Sequence, residues 1–308
     1  MSIARTLLLE AAENRWLADQ MSRWAFARRA TKRFMPGEKL DDALSAAKAL
    51  SAQGQGSLIT QLGEAIANLS DATAVRDHYL GAFQEIKRAG LSTWISIKPT
   101  QLGIDQSMDA CREHLLRLGA AAQEAGSSLW IDMEDHSYVD RTIDLYRAVK
   151  ANYPESGLAI QSYLFRTPKD VDGLLEVSPR IRLVKGAYRE PASVAFPAKR
   201  DVDLAYYDVA ITLLEAAKRG QGLPVFGTHD IPLVRRIMAK AKDIGVKPGG
   251  YEIHMLYGIK SGEQAQLTRE GETVKTLISY GSAWFKWYMR RLAERPANVW
   301  FVVKSMAG

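Results

Sequence analysis

Cysteine is almost absent from this 308-residue chain: Cys111 is the only one. That excludes an intrachain disulfide and a cysteine-based zinc site, and it fits a reducing compartment. No apolar run approaches the roughly 18 residues that a membrane helix needs. The short Leu7-Leu8-Leu9 run sits among Arg5, Glu10, Glu13 and Arg15, without the long apolar core of a secretory signal. Motifs for common chemistries are missing as well: there is no Walker A loop, H-E-x-x-H or G-x-S-x-G, and no G-x-G-x-x-G follows the first strand-like segment. A strong charge of one sign is also lacking, since 41 basic residues face 35 acidic ones for a net +6. The pairs Arg28-Arg29, Lys32-Arg33, Arg235-Arg236 and Arg290-Arg291 are scattered and accompany no nucleic-acid motif. They read as solvated helix faces, and no nucleic-acid partner is expected. These absences leave a cytoplasmic, globular protein.

What is present is a regular alternation. Hydrophobic residues make up 47% and charged ones 25%, ordinary for a packed soluble fold. Residues 1–50, rich in Ala, Leu, Arg and Lys and broken at Pro36-Gly37, read as a helical arm. Eight short apolar runs follow: Ser57–Gln61, Trp94–Lys98, Leu129–Glu134, Leu158–Tyr163, Ile181–Lys185, Leu223–Thr228, Tyr251–Leu256 and Lys275–Ser279. Each has the length and texture of a strand buried on both faces. Helical stretches separate them, from Ala72–Ala89 through Gln106–Ala125, Ser137–Asn152, Lys169–Val177, Asp203–Arg219, Pro232–Ile244 and Ser261–Arg269 to an eighth at Ser282–Glu294. Eight strand–helix units predict an α/β fold, a (β/α)8 TIM barrel over 51–308 preceded by the arm at 1–50.

Barrel chemistry gathers at the carboxyl ends of the strands. There the sequence places Gln61 and Glu64; Lys98; Asp132, Glu134 and Asp135; Gln161 and Tyr163; Arg182, Lys185 and Tyr188; Thr228, His229 and Asp230; His254 and Tyr257; and Tyr280. Polar residues inside apolar strands are costly unless paired or facing a ligand. Lys98, Asp132, Gln161 and Arg182 therefore predict a pocket, and Lys98, Arg182 and Lys185 predict an anionic ligand. Arg290 and Arg291 point about 100° apart on a helix. They fit either two anion contacts or a surface pair at a helix C-terminus. The acidic run at Asp132–Asp135 has no second histidine near it in sequence beyond His136, so no metal is expected. Cys111 lies in a helical stretch and reads as a packing residue.

Taken together, several runs resemble the proline dehydrogenase family, in its short monofunctional bacterial form. They are Ser96-Ile97-Lys98, Ile131-Asp132-Met133-Glu134-Asp135, Arg182-Leu183-Val184-Lys185-Gly186-Ala187-Tyr188, Thr228-His229-Asp230, Met255-Leu256-Tyr257-Gly258 and Arg290 through Asn298. The resemblance spans nearly the whole chain. It implies a distorted barrel with noncovalent FAD at its mouth, oxidation of L-proline to Δ1-pyrroline-5-carboxylate by hydride transfer to flavin N5, and a quinone as electron acceptor. It implies that Arg290, Arg291 and Lys98 clamp the substrate carboxylate. By the same match Asp132 orders the pocket floor, while Tyr188 and Leu256 form its wall. Arg182 stands beside the flavin ring. Gln161, Lys185, Gly186, Thr228, His229 and Glu294 hold the FAD, and Glu64 acts as a gate paired with Arg290. Four positions depart from the family: Trp287 and Leu277 replace tyrosines, Thr60 replaces an aspartate and His254 replaces a glutamine. All four are expected around the substrate, which leaves another cyclic imino acid or an N-alkyl amino acid as an alternative substrate. The apolar tail after Pro296 and the basic N-terminal helices are the candidates for a peripheral contact with the inner membrane.

Overall fold

The computed structural model describes residues 34–63, 66–247 and 249–284. Its strands are β1 (Gly56–Gln61), β2 (Thr93–Ile97), β3 (Leu129–Ile131), β4 (Gly157–Gln161), β5 (Arg180–Val184), β6 (Leu223–Gly227), β7 (Glu252–Leu256) and β8 (Val274–Tyr280). All are parallel, each pairs with the next, and β8 returns to β1 in a continuous register from Gly56 against Lys275 to Gln61 against Tyr280. The expected (β/α)8 barrel is therefore closed. Among the described residues, α1 (Leu40–Ser51) precedes it, and α2 (Leu69–Arg88), α3 (Met108–Glu124), α4 (Val139–Asn152), α5 (Thr167–Leu175), α6 (Lys199–Lys218), α7 (Ile231–Ile244) and α8 (Ser261–Arg269) follow β1 to β7 in turn.

The strands form because their residues are apolar on both faces. One face packs outward against the helices, where Ile59, Ile95, Ile97, Ile131, Leu158, Ile181, Leu183, Phe226 and Ile253 join a single core with the helix stripes. Each such side chain contributes roughly 1.5–3 kcal/mol by leaving water. The other face fills the barrel axis with a separate cluster of Leu58, Trp94, Trp130 and Val225, bordered by Leu223 and Leu277. The Trp130 ring fits there because its partner on the neighbouring strand is Gly157. A Cβ on Gly157 would come within 2.4 Å of the Trp130 ring.

Most boundaries follow caps that the hydrophobic pattern does not reveal. The α2 helix starts at Leu69 because the Asn68 side chain accepts a hydrogen bond from the Asp71 amide. The α6 helix starts four residues before the expected Asp203, with Lys199 and Asp203 paired across its first turn. β3 stops three residues before the expected Glu134. The Asp132 amide still donates to the Ile97 carbonyl at 2.8 Å. Beyond it, the Asp135 carboxylate caps a 3-10 turn by accepting from the Ser137 amide and hydroxyl at 2.9 and 2.6 Å, which draws the chain out of the ladder. Cys111 is buried and its thiol is pushed up to about 12 by burial, as suits a packing residue.

Of the expected arm, residues 1–33 lie outside the described residues. Its last helix, α1, buries Ala43, Ala46 and Ala47 and packs over β1 and β8, where the barrel closes. The Trp284 indole, buried just after β8, donates to the Glu38 carboxylate at 3.2 Å. From residue 285 on, the expected eighth helix and the apolar tail also lie outside the described residues.

Candidate active site

Three strands converge at the carboxyl end of the barrel. Lys98 follows β2, Asp132 follows β3 and Arg182 stands in the middle of β5. Asp132 lies between the two cations, with Lys98 Nζ at 3.0 Å from Oδ2 and Arg182 Nη2 bonded to Oδ1. Ser96 completes the group: its hydroxyl donates to Asp132 at 2.7 Å and accepts from Arg182 Nη2 at 2.8 Å. Burial pushes the Asp132 carboxyl up, but Lys98, Arg182 and the Ser96 hydrogen bond together outweigh it and hold the group below its ordinary value. It is therefore an anion at neutral pH, and two cations around one anion leave the trio with a net positive charge. The Arg182 side chain is only 6% exposed, whereas Lys98 keeps 34% of its side chain open to the mouth. A carboxylate arriving there meets a cation whose partner is already in place.

The rim is held by hydrogen bonds between loops. The Gln161 amide donates to the Glu134 carbonyl at 2.7 Å and accepts from the Ala187 amide at 3.5 Å, tying the loops after β3 and β5 together. The Glu134 carboxylate accepts from the Thr100 amide and hydroxyl at 3.0 and 2.8 Å, and burial raises its pKa. Gly186 has φ +124°, and a Cβ there would meet the Tyr163 ring at 2.5 Å, so only glycine suits this turn. Tyr188 is half-buried, and its amide donates to the Tyr163 hydroxyl. Beyond it, the buried Glu190 side chain accepts from the Tyr163 hydroxyl at 3.3 Å and from the His136 amide at 2.9 Å. Across the mouth, His229 Nε2 accepts from the Leu256 amide at 2.9 Å, and Thr228 Oγ1 accepts from the Asp230 amide at 3.2 Å.

Lys185 reaches away from this trio toward α6 and α7, where it donates to Asp203 at 2.5 Å and Asp230 at 2.8 Å. Next to it lies a cavity of about 460 Å³ between the N-terminal ends of these helices, lined by Lys199, Arg200, Arg236, Asp203, Asp230 and Leu204 among others. With Lys185, four cations there face two carboxylates.

Lys98, Asp132, Arg182, Gln161, Lys185, Gly186, Tyr188, Thr228, His229 and Leu256 thus border one mouth and its adjoining cavity. Glu64, Trp287, Arg290, Arg291 and Glu294 lie outside the described residues. The departures from the family pattern that are described sit deeper than the open mouth. Thr60 is buried and hydrogen-bonded to the Tyr79 hydroxyl. Leu277 borders the inner tryptophan cluster. His254 is 3% exposed, with its ring centroid 5.5 Å from that of Trp130 and 6.0 Å from that of Trp94. Sequence reasoning missed Ser96, Asp203 and Glu190. Strand alternation puts Ser96 on the face of Lys98, and the i,i+4 spacing from Lys199 marks Asp203. Glu190 carries no local signal.

Below the trio a second polar group fills the other end of the barrel. His254 Nε2 is 3.0 Å from Glu252 Oε2, and Lys275 Nζ lies 3.7 Å from Glu252 Oε1 and 3.7 Å from the Trp94 ring centroid. Trp94 stacks on Trp130 at 5.7 Å, and the Arg182 guanidinium carbon lies 5.3 Å from the Trp130 ring centroid. One contiguous set of contacts runs from Lys98 to Lys275.

Fold and site together define a (β/α)8-barrel enzyme whose mouth is lined by paired charges. A family model for proline dehydrogenase matches residues 43–304. Proline dehydrogenase 1 of Bacillus subtilis subsp. natto is 34% identical over 275 residues, 89% of this chain and 90% of that one. The proline dehydrogenase of Deinococcus radiodurans is 34% identical over 282 residues, 89% of each. A crystal structure of proline utilization A (PutA) from Bdellovibrio bacteriovorus, inactivated by N-propargylglycine, superposes with a TM-score of 0.82 at 20% identity. That match covers 95% of this chain and 36% of the larger one, and it is a likeness of fold. The chain belongs to the proline dehydrogenase family, in its short monofunctional bacterial form, and is an amino-acid oxidoreductase. No helix among the described residues is long and apolar enough to cross a membrane.

Proposed function

We propose that this protein is an FAD-dependent dehydrogenase that oxidises L-proline to Δ1-pyrroline-5-carboxylate and passes the electrons to a quinone. The observation that carries the reading is the Lys98–Asp132–Arg182 trio, net positive and open on the Lys98 side, in a chain of this family. The residues present suit a dinucleotide. Gly186 forms a turn that any Cβ would block, and the four cations around the cavity at α6 and α7 exceed their carboxylates by two, the charge of a pyrophosphate. Lys185, Gly186, Gln161, Thr228 and His229 would hold the FAD, joined by Glu294. Bound FAD supplies the acceptor for the hydride that leaves proline C5 as the C=N bond forms and the amine proton is lost.

The chain's own residues bind and orient. Lys98, with Arg290 and Arg291, takes the substrate carboxylate by charge-assisted hydrogen bonds, which fixes the ring over the reacting position. Asp132 keeps Lys98 and Arg182 in place and compensates their charge, so that neither cation is buried alone. Arg182 presents a fixed positive charge from the barrel interior, where low polarisability magnifies its effect on a developing anion. Tyr188 and Leu256 wall the pocket.

The test is anaerobic titration of the purified protein with L-proline, followed in the flavin visible band. Bleaching is expected, and product trapped as the C=N compound identifies the reaction. Yellow protein reduced only by another cyclic imino acid or an N-alkyl amino acid would overturn the substrate, and colourless protein that binds no FAD would overturn the cofactor.

A further inference from the structure

Three buried polar atoms around the barrel axis have no hydrogen-bond partner among the described residues: Arg182 Nη1, Trp130 Nε1 and His254 Nδ1. The three residues are almost fully buried, only 5%, 0% and 3% exposed. Trp130 touches both of the others, with the Arg182 guanidinium carbon at 5.3 Å and the His254 ring at 5.5 Å. The donor set is complementary. Arg182 Nη1 and Trp130 Nε1 are obligate donors. His254 Nε2 faces the Glu252 carboxylate at 3.0 Å, which places the proton on Nε2 and leaves Nδ1 an acceptor.

We propose that Glu252 and His254 form a positioning pair for Arg182: Glu252 fixes the imidazole tautomer, and His254 Nδ1 serves as the inner acceptor for the Arg182 guanidinium across one buried water. Asp132 and Ser96 occupy Nη2 from the mouth side, so an acceptor from below locks the guanidinium plane at both ends. The charged groups around the imidazole are Glu252, Lys275 and Arg182. Burial, with Arg182 and Lys275, holds the imidazole down to about 4 against the pull of Glu252, which keeps Nδ1 unprotonated under ordinary conditions. His254 touches neither substrate nor flavin in this arrangement and acts only through Arg182.

The kinetic arm of the test rests on the flavin reading above; the spectroscopic arm does not. In histidine-15N-labelled protein, with His254 assigned by its loss in H254Q, Nδ1 should appear unprotonated and Nε2 protonated. R182K should move the Nδ1 resonance. A protonated Nδ1, or a resonance indifferent to R182K, would overturn the proposal. In stopped-flow reduction by L-proline, H254L should lower the limiting rate about tenfold, the scale of one lost buried hydrogen bond, with little change in KM. H254Q, which restores a side-chain carbonyl acceptor, should recover most of that rate. Unchanged reduction in H254L, or equal losses in both variants, would overturn it. If H254L does not fold, the H254Q rate and the resonances still decide. Wild-type flavin that proline does not reduce would sink the functional reading and leave the resonance arm intact.

Discussion

At the mouth of the barrel an aspartate is held between two cations; at the opposite end a histidine is held neutral against a glutamate. Both groups are buried among the same tryptophans, and both combine charge with aromatic faces. They differ in completeness. Lys98 is a third exposed and its side of the trio is open, whereas Lys275 is closed in by Glu252 and the Trp94 ring. The mouth retains a positive charge that a ligand can neutralise, and the lower end has spent its charges on itself. A buried ion pair that is satisfied adds little net stability, but one that loses a member is expensive. The two ends should therefore respond to substitution in different ways.

The largest effect is expected from D132A, which strands Arg182 and Lys98 together. Denaturant unfolding should show a loss of about 3–5 kcal/mol, together with loss of proline-dependent flavin reduction. A loss under about 1 kcal/mol would mean that the mouth cations are already solvated, and the contrast with the lower end would fall. Next, G157A forces a methyl into the Trp130 ring from a site that bears no charge. A cost of about 1–3 kcal/mol is expected from overpacking, with flavin reduction retained. Abolished reduction with wild-type stability would show that packing at the lower end transmits to the mouth.

The third prediction uses pH. The folded His254 titrates near 4 against an ordinary value of 6.5, so below about 6.5 the unfolded chain takes the proton first. Stability therefore falls as pH falls through this window, and the loss saturates once the folded imidazole also protonates. About 2 kcal/mol should disappear between pH 7 and pH 5, and H254Q should lack that share of the slope. Asp132, whose folded pKa is lowered, adds its own loss only at still lower pH, below the ordinary carboxylate range. Equal slopes in wild type and H254Q would place the imidazole in contact with water. The smallest effect is a control outside both regions: the exposed i,i+4 pair Arg117–Glu113, 2.6 Å apart, should contribute under about 0.5 kcal/mol, read from R117A.

The strand count and its meaning were legible because each strand is a short apolar run on both faces. Lys98, Asp132 and Arg182 were legible because a charge inside such a run demands a partner. What was hidden depended on distances between loops. Glu190 looks like any surface acid until His136 and Tyr163 close on it. The early end of β3 depends on Asp135 capping a turn, which hydrophobic pattern does not encode. The resemblance puts His254 around the substrate, as one of the four departures from the family pattern. The barrel instead sinks it beside Trp130, because the pleat that brings Glu252 inward brings His254 inward as well.

The contact between Trp284 and Glu38 joins residues 246 positions apart in the chain. It lies at the seam where β8 meets β1, the pairing that turns a curved sheet into a cylinder. A ribosome must therefore deliver almost all of this sequence before the seam can form. Until then β1 offers an unpaired edge and α1 has only half of its packing surface. Such an edge is a template for the wrong partner, including the same strand of a neighbouring nascent chain. The time between the emergence of α1 and that of β8 is when this protein is most exposed to aggregation, and when a chaperone would be of most use to it.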